Sequence, residues 1–323
     1  MKILITGGYG QLGHCIYDVL QNPLIGNKHK YYFASHQEFD ITDEGSMEKY
    51  LFYNPEIECI INCAGYTNVD KAEEDEYNAY KVNSLGVKKL VDICEKYNIM
   101  LFHISTDYVY KDGGICNEEH ECEPINIYGK SKRDGELHII NSNIKKWYII
   151  RTSWLYSEYL GNFFTKILDK AKFYKPLKVV TDEIGSPTYA KSLAEMLICI
   201  LEHEYYKISS FPGGIYNCSG NGLTSRYDFA SNIIGGAYHI KIDGKEIGIR
   251  VPIEQTTQEE LNMSAHRPKC IIMNNDKIYS AIPVEQRPWL YDLQDCITNY
   301  EKKLNEENNK YKIMYGTELY RTY

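Results

Sequence analysis

At 323 residues, 43% hydrophobic and 25% charged, the chain is long enough for two hydrophobic cores and has the composition of a folded globular protein. Fibrous, mucin-like and intrinsically disordered classes are excluded. Its 36 basic and 44 acidic side chains leave a net charge of −8 with no block of five or more like charges, which speaks against nucleic acid as the main partner.

The most apolar stretch, Leu193–Leu201, is nine residues long and broken by Glu195, well short of the ~20 that span a bilayer. Met1-Lys2 leads directly into a short apolar run and a glycine cluster, so no leader, no membrane attachment and a cytoplasmic location are expected. The ten cysteines are scattered without a Cys-x-x-Cys pair and read as reduced thiols. Cys116, His120 and Cys122 lack a fourth ligand at zinc spacing, so no metal is expected.

In chain order, short apolar runs alternate with longer amphipathic ones: Lys2–Thr6 then Gln11–Leu20, Tyr31–Ser35 then Glu44–Tyr53, Cys59–Asn62 then Ala72–Tyr97, Met100–Ser105 then Asn126–Ile140, and Trp147–Ile150. That rhythm predicts repeated βαβ units, hence an α/β fold with a doubly wound parallel sheet of the Rossmann type. Past Arg151 the rhythm loosens. Helices are expected at Asn162–Ala171, Ala190–Glu204 and Ser225–Ile234, and strands at Leu177–Thr181 and Ile215–Cys218. We therefore expect residues 1–155 to form a dinucleotide-binding domain, with 177–204 returning to it. Residues 156–176 and 205–323 are assigned to a smaller α+β substrate domain and a partly ordered tail.

The first strand runs into Thr6-Gly7-Gly8-Tyr9-Gly10-Gln11-Leu12-Gly13. Glycines at a strand-to-helix turn let a pyrophosphate reach main-chain N–H groups at the positive end of the helix, so an acidic protein can still bind a dinucleotide. No carboxylate is evident where the second strand ends at Ser35-His36-Gln37. This favours NADPH, with NADH also possible, although no Arg offers a fork for the 2′-phosphate.

Tyr128 and Lys132 are spaced i, i+4 on one helical face. A lysine ammonium beside a phenol is expected to pull the tyrosine below its usual range and make it a proton donor or acceptor. With 30 tyrosines in the chain the spacing alone proves little, and Tyr77 and Lys81 share it. Context favours Tyr128, because the preceding strand ends in Ser105-Thr106-Asp107, where a doubly wound sheet presents ligand-binding groups.

These runs, together with Asn62-Cys-Ala-Gly-Tyr-Thr67, Arg151-Thr-Ser-Trp-Leu-Tyr156, Asp182-Glu-Ile-Gly-Ser-Pro-Thr188 and His266-Arg-Pro-Lys269, resemble the extended short-chain dehydrogenase/reductases. Within them the chain is most similar to the dTDP-4-dehydrorhamnose reductases, over roughly residues 1–300. The resemblance implies a cofactor site of Gly7, Gly10, Gln11, Leu12 and Gly13 at the pyrophosphate, and Asp40 and Ile41 near the adenine. Cys63, Ala64 and Thr67 would lie along the nicotinamide half, with Tyr128 and Lys132. It further implies catalysis by Tyr128, Lys132 and Thr106, and a nucleotide-sugar substrate held by Thr106, Asp107, Trp154 and Arg267. The expected reaction is NADPH-dependent reduction of a 4-keto-6-deoxyhexose carried on a nucleotide diphosphate.

Some family members carry magnesium-binding glutamates at a dimer interface, where this chain has Cys15 and Lys191. No metal is expected there, and a homodimer stays open. The Lys111–Glu123 loop, with two cysteines and five acidic residues, has no expected counterpart. Two rival readings remain: a nucleotide-sugar dehydratase or epimerase, and a non-catalytic dinucleotide-binding subunit. Against the first, Asp107 is followed by Tyr108 rather than Glu.

Overall fold

The structure, a computed structural model, describes residues 1–315 except 23, 24, 26, 27, 160, 174, 208–210 and 283, with side chains through residue 310. Six parallel strands form the central sheet: β1 (Lys2–Thr6), β2 (Lys30–Ala34), β3 (Cys59–Asn62), β4 (Met100–Thr106), β6 (Trp147–Thr152) and β11 (Gly214–Asn217). β5 (Gly114–Cys116) lies outside it. The order β2-β1-β3-β4-β6-β11 puts the reversal of winding between β1 and β3, where the carboxyl ends of an open sheet leave a crevice.

Helices cover both faces, as strands apolar on both sides require. α1 (Gln11–Leu20) and α8 (Ala190–Tyr206) bury Leu12, Ile16, Leu193, Leu197 and Leu201 against one face. On the other face, α2 (Glu44–Tyr53), α5 (Val87–Tyr97) and α6 (Ile127–Ile140) bury Met47, Leu51, Leu90, Val91 and Ile139.

Where one helix was expected over Ala72–Tyr97, the chain breaks into α3 (Val69–Glu74), α4 (Glu76–Tyr80) and a π-helical turn, Lys81–Gly86, before α5. Asp75 stops α3 with a non-helical backbone and accepts the amide of Asn78 to start α4. The π-turn carries Asn83, whose amide clamps the backbone N–H and C=O of Tyr66 at 2.8 and 2.9 Å. Such bulges trade helical regularity for one aimed side chain.

A second core gathers apolar side chains of α7 (Phe163–Ala171), α9 (Arg226–Ala237) and α12 (Trp289–Tyr315) around Tyr156, Phe164, Tyr189, Phe229 and Trp289. Two-residue pairs bracket it: β7 (Leu155–Tyr156) with β10 (Thr188–Tyr189), β9 (Ile184–Gly185) with β12 (Thr224–Ser225), and β13 (Lys241–Ile242) with β14 (Lys245–Glu246). β8 (Leu177–Val180) pairs with β15 (Ile253–Thr256), next to the short α10 (Gln258–Leu261). Thus it is α8 and β11, not β8, that return to the large sheet. Residues 301–315, expected as a partly ordered tail, continue α12, while 316–323 lie outside the described residues.

The acidic Lys111–Glu123 loop is a strap. Its β5 pairs with β16 (Ile271–Met273), just before α11 (Asp276–Ala281). Asp112 accepts the amides of Lys269 and Cys270 at 3.0 and 2.9 Å. The Cys116 and Cys122 thiols point to the carbonyls of Gly114 and His120.

Candidate active site

At the β1/β3 reversal lies a cleft of about 390 Å³. Of the residues singled out from sequence, Gly7, Gly10, Gln11, Leu12, Cys63, Ala64, Thr67, Thr106, Asp107, Tyr128, Lys132 and Trp154 all line it. Gly13, Asp40, Ile41 and Arg267 do not. Gly13 sits under the turn, where a Cβ would come within 2.2 Å of the Gly8 carbonyl oxygen. Asp40 accepts the Thr42 amide at 2.8 Å, and Ile41 is buried in the core beneath.

The floor of the cleft suits a dinucleotide. Gly7 has φ +60°, and a Cβ there would lie 3.0 Å from the Ala64 amide nitrogen. Gly10 begins α1 with no side-chain cap, leaving the positive helix end to an anion. The buried Gln11 Nε2 and Thr152 Oγ1 have no hydrogen-bond partner among the described residues, the kind of orphaned polar atom a bound group would satisfy.

At the end of β2 the structure corrects one premise. The backbone turns so that Phe39 N reaches Ser35 O at 2.9 Å, and the Glu38 carboxylate folds back to accept from Ser35 N and Oγ at 2.8 and 2.7 Å. A carboxylate therefore does stand at the end of this strand, supplied three residues later by a turn.

One wall of the cleft comes from β4 and α6. Thr106 ends β4, takes the Tyr108 amide on its Oγ1 at 3.2 Å and donates to Asp107 Oδ1 at 3.0 Å. Asn126 caps α6 by accepting the Gly129 amide at 2.8 Å, while its own amide donates to the His266 carbonyl at 2.9 Å. This pins the turn that carries Tyr128 to the second half of the chain.

Burial pushes the Tyr128 phenol up to about 12, against a hydrogen bond with Thr106 that works the other way. The expected lowering by Lys132 is not what the geometry produces. The Lys132 amine is directed at the Ile104 carbonyl, 2.6 Å away, and at His103 Nε2, 3.2 Å away, and burial brings it down to about 8. Burial likewise lifts the Asp107 carboxyl to about 7, although the Thr106 hydroxyl and the Arg226 charge oppose it.

One cleft-lining residue, Arg226, had no sequence signal. Arg226, at the start of α9, lies 3.6 Å from the centre of the Trp154 ring and bonds Glu183 at 3.2 Å. Arg151 is fully buried and forms a two-pronged pair with Glu136 of α6 at 2.9 and 2.7 Å. Arg267 lines an adjoining cleft of about 480 Å³ with Lys166, Lys170 and Lys178, where it pairs with Asp70 at 3.1 and 2.7 Å. Tyr77 is exposed, as a surface partner of Lys81 would be. Among the described residues no three His, Cys, Asp or Glu side chains converge as a metal site would need, and no helix is long and apolar enough to cross a membrane.

The chain is 33% identical over 299 residues to the spore coat polysaccharide biosynthesis protein SpsK of Bacillus subtilis, covering 92% of this chain and 96% of that one. It is 33% identical to the dTDP-4-dehydrorhamnose reductase of Aggregatibacter actinomycetemcomitans, covering 89% and 95%. Among solved structures, a dTDP-4-dehydrorhamnose reductase of Clostridium acetobutylicum superposes with TM-score 0.79 at 33% identity, covering 93% of this chain and 99% of that one. The Bacillus anthracis dTDP-4-dehydrorhamnose reductase in complex with NADP gives 0.78 at 30%, covering 92% and 99%. Residues 1–302 match the RmlD substrate binding domain, and the chain, with its glycine turn, Thr106, Tyr128 and Lys132 around one cleft, belongs to that family of extended short-chain reductases.

Proposed function

We propose that the protein reduces the C4 keto group of dTDP-4-dehydrorhamnose to give dTDP-L-rhamnose, using NADPH. The observation that carries this reading is the single cleft in which an uncapped helix end, the Thr106–Tyr128–Lys132 wall and Trp154 face one another. The solved relative in complex with NADP supports the choice of cofactor.

Gly7, Gly10, Gln11 and Leu12 hold the pyrophosphate, and Cys63, Ala64 and Thr67 the nicotinamide half. When bound, the reduced nicotinamide supplies a hydride. Tyr128, held protonated at neutral pH by burial, gives its proton to the alkoxide oxygen that forms at C4 of the sugar. The O–H bond of Tyr128 breaks as the sugar O–H forms, and Lys132, in the ammonium form that it keeps below about pH 8 despite His103, stabilises the phenolate left behind. Thr106 holds the same oxygen by a hydrogen bond. Asp107, with its carboxyl near the balance point at pH 7, accepts from or donates to a sugar hydroxyl. Trp154 packs on the ring. The nucleoside diphosphate extends into the adjoining cleft, where Lys166, Lys170 and Arg267 among its lining supply positive charge.

The ten free thiols suit a reducing compartment and the cytoplasm. The test is NADPH consumption at 340 nm with dTDP-4-keto-6-deoxy-L-mannose. Sugar-dependent oxidation is expected, with loss of nearly all of it in Tyr128→Phe. No oxidation with either NADPH or NADH would move the assignment to a non-catalytic binding subunit.

A further inference from the structure

Three adjacent strands each carry a buried polar residue, at the last position of β1 and of β3 and midway along β4, and the strand register sets the three abreast. Thr6 of β1 is paired with Asn62 of β3, and Asn62 with His103 of β4. Thr6 Oγ1 donates to Asn62 Oδ1 at 2.7 Å, and Asn62 Nδ2 meets His103 Nδ1 at 3.0 Å. His103 Nε2 then faces Lys132 Nζ at 3.2 Å. All four side chains are buried, Thr6, Asn62 and His103 with no exposed surface and Lys132 with 4%.

Donor and acceptor accounting fixes the protons. The Ala64 backbone N–H can only donate, and it points at Asn62 Oδ1, 3.2 Å away. That oxygen therefore faces Ala64 and Thr6, and the amide NH₂ faces the imidazole. His103 Nδ1 must accept, so the neutral ring carries its proton on Nε2, toward Lys132. An ammonium has no lone pair to receive that proton, whereas a neutral amine has one. Charging the ring offers no escape, because both nitrogens would then be donors, and burial beside Lys132 disfavours the imidazolium.

We propose that His103 is a positioning residue for Lys132: with its tautomer fixed by Asn62, it directs an N–H at Nζ and so favours the neutral amine over the ammonium. The other groups facing Lys132 are Glu136 one turn along α6, whose charge favours the ammonium, the Cys63 thiol after β3, and Tyr128 one turn before. His103 acts against Glu136, in the same direction as the burial that already brings the amine down. The catalytic consequence rests on the reductase reading above; the proton placement does not.

The test reads Lys132 directly. Trace acetylation of the whole protein with acetic anhydride across pH 6–11, followed by mass spectrometry of the Lys132 peptide, gives the midpoint at which the amine becomes reactive. In Asn62→Asp the new carboxylate accepts from Nδ1–H, turning Nε2 into an acceptor. In His103→Gln a side-chain carbonyl can face Nζ instead. Both variants are expected to raise the midpoint by about one pH unit, the size of a charge-assisted hydrogen bond. With the sugar and NADPH, the alkaline limb of kcat should move up by the same amount. Unchanged midpoints in folded variants overturn the proposal. Should neither variant fold, long-range ¹H–¹⁵N spectra of the wild-type imidazoles decide it: one ring stays neutral across pH 5–9 as the Nε2–H tautomer, and an Nδ1–H form for that ring overturns it. An unchanged midpoint with full turnover defeats this inference alone, whereas a raised midpoint without turnover defeats only the reductase reading.

Discussion

The guanidinium of Arg226 lies over the indole of Trp154, 3.6 Å from its centre, and is tethered by Glu183 at 3.2 Å. Trp154 itself adopts φ +44°, a conformation costly for a bulky side chain and kept where surrounding contacts enforce it. Gly185 also packs against the indole, where a Cβ would come within 2.7 Å of the ring. The indole is thus set in one orientation at the mouth of the cleft.

Removing the guanidinium should free the indole. Arg226→Leu is expected to raise KM for the sugar nucleotide about tenfold, the scale of one desolvated cation–π contact, while NADPH affinity changes less than about twofold. Steady-state kinetics with a fluorescence titration of NADPH separates the two. Equal weakening of both ligands would argue against a substrate role for Trp154.

Tyr128→Phe keeps the ring and removes the proton. Turnover should fall by ~10²–10⁴, the usual worth of a positioned general acid, with cofactor affinity and thermal midpoint close to wild type. Single-turnover absorbance at 340 nm checks this, and substantial residual hydride transfer would assign the proton to another group.

Glu136→Gln breaks the buried pair with Arg151 and strands its charge, which costs about 3–5 kcal/mol in a urea unfolding curve. Burial alone would raise the Glu136 carboxyl, but the hydrogen bond and charge of Arg151 outweigh it and leave it below the usual range. Its contribution is therefore complete above about pH 4.3, the unfolded value, and disappears as the pH drops through the lower folded value. The variant should lack that acid-side loss.

Asp107 has the opposite sign. Burial raises its carboxyl to about 7, so the folded state is favoured below the unfolded value near 4 and loses that advantage as pH rises to about 7. Stability should decline by on the order of 2–4 kcal/mol across this interval and then level off. Asp107→Asn should flatten the decline in thermal midpoints measured from pH 5 to 8.

Gly13→Ala tests the turn from its underside. The added methyl would meet the Gly8 carbonyl at 2.2 Å, so α1 must shift away from β1. NADPH binding is expected to weaken at least about tenfold, measured by calorimetry, with a lower thermal midpoint.

Much of this architecture is local and therefore readable along the chain. Strands buried on both faces and amphipathic helices between them announce a parallel sheet, because only right-handed crossovers join such strands. The glycines from Gly7 to Gly13 are tied to one turn, and Tyr128 and Lys132 to one helical face. Periodicity failed at Asp75, where a side-chain cap outcompeted the helix expected through Ala72–Tyr97. It was also blind to Glu38, which reaches the end of β2 only through a turn.

Sequence by itself determined the sheet, the glycine turn and the placing of Tyr128 and Lys132 on one helical face, because each depends on spacing within one element. Tertiary structure alone decided what those groups feel. Lys132 is set by His103 and by the Ile104 carbonyl rather than by its helical neighbour Tyr128. Trp154 is held by Arg226 from α9, and burial, not a lysine charge, governs the Tyr128 phenol. Desolvation and donor-acceptor pairing arise only where distant segments close over one another, so no pattern along a single strand or helix could encode them.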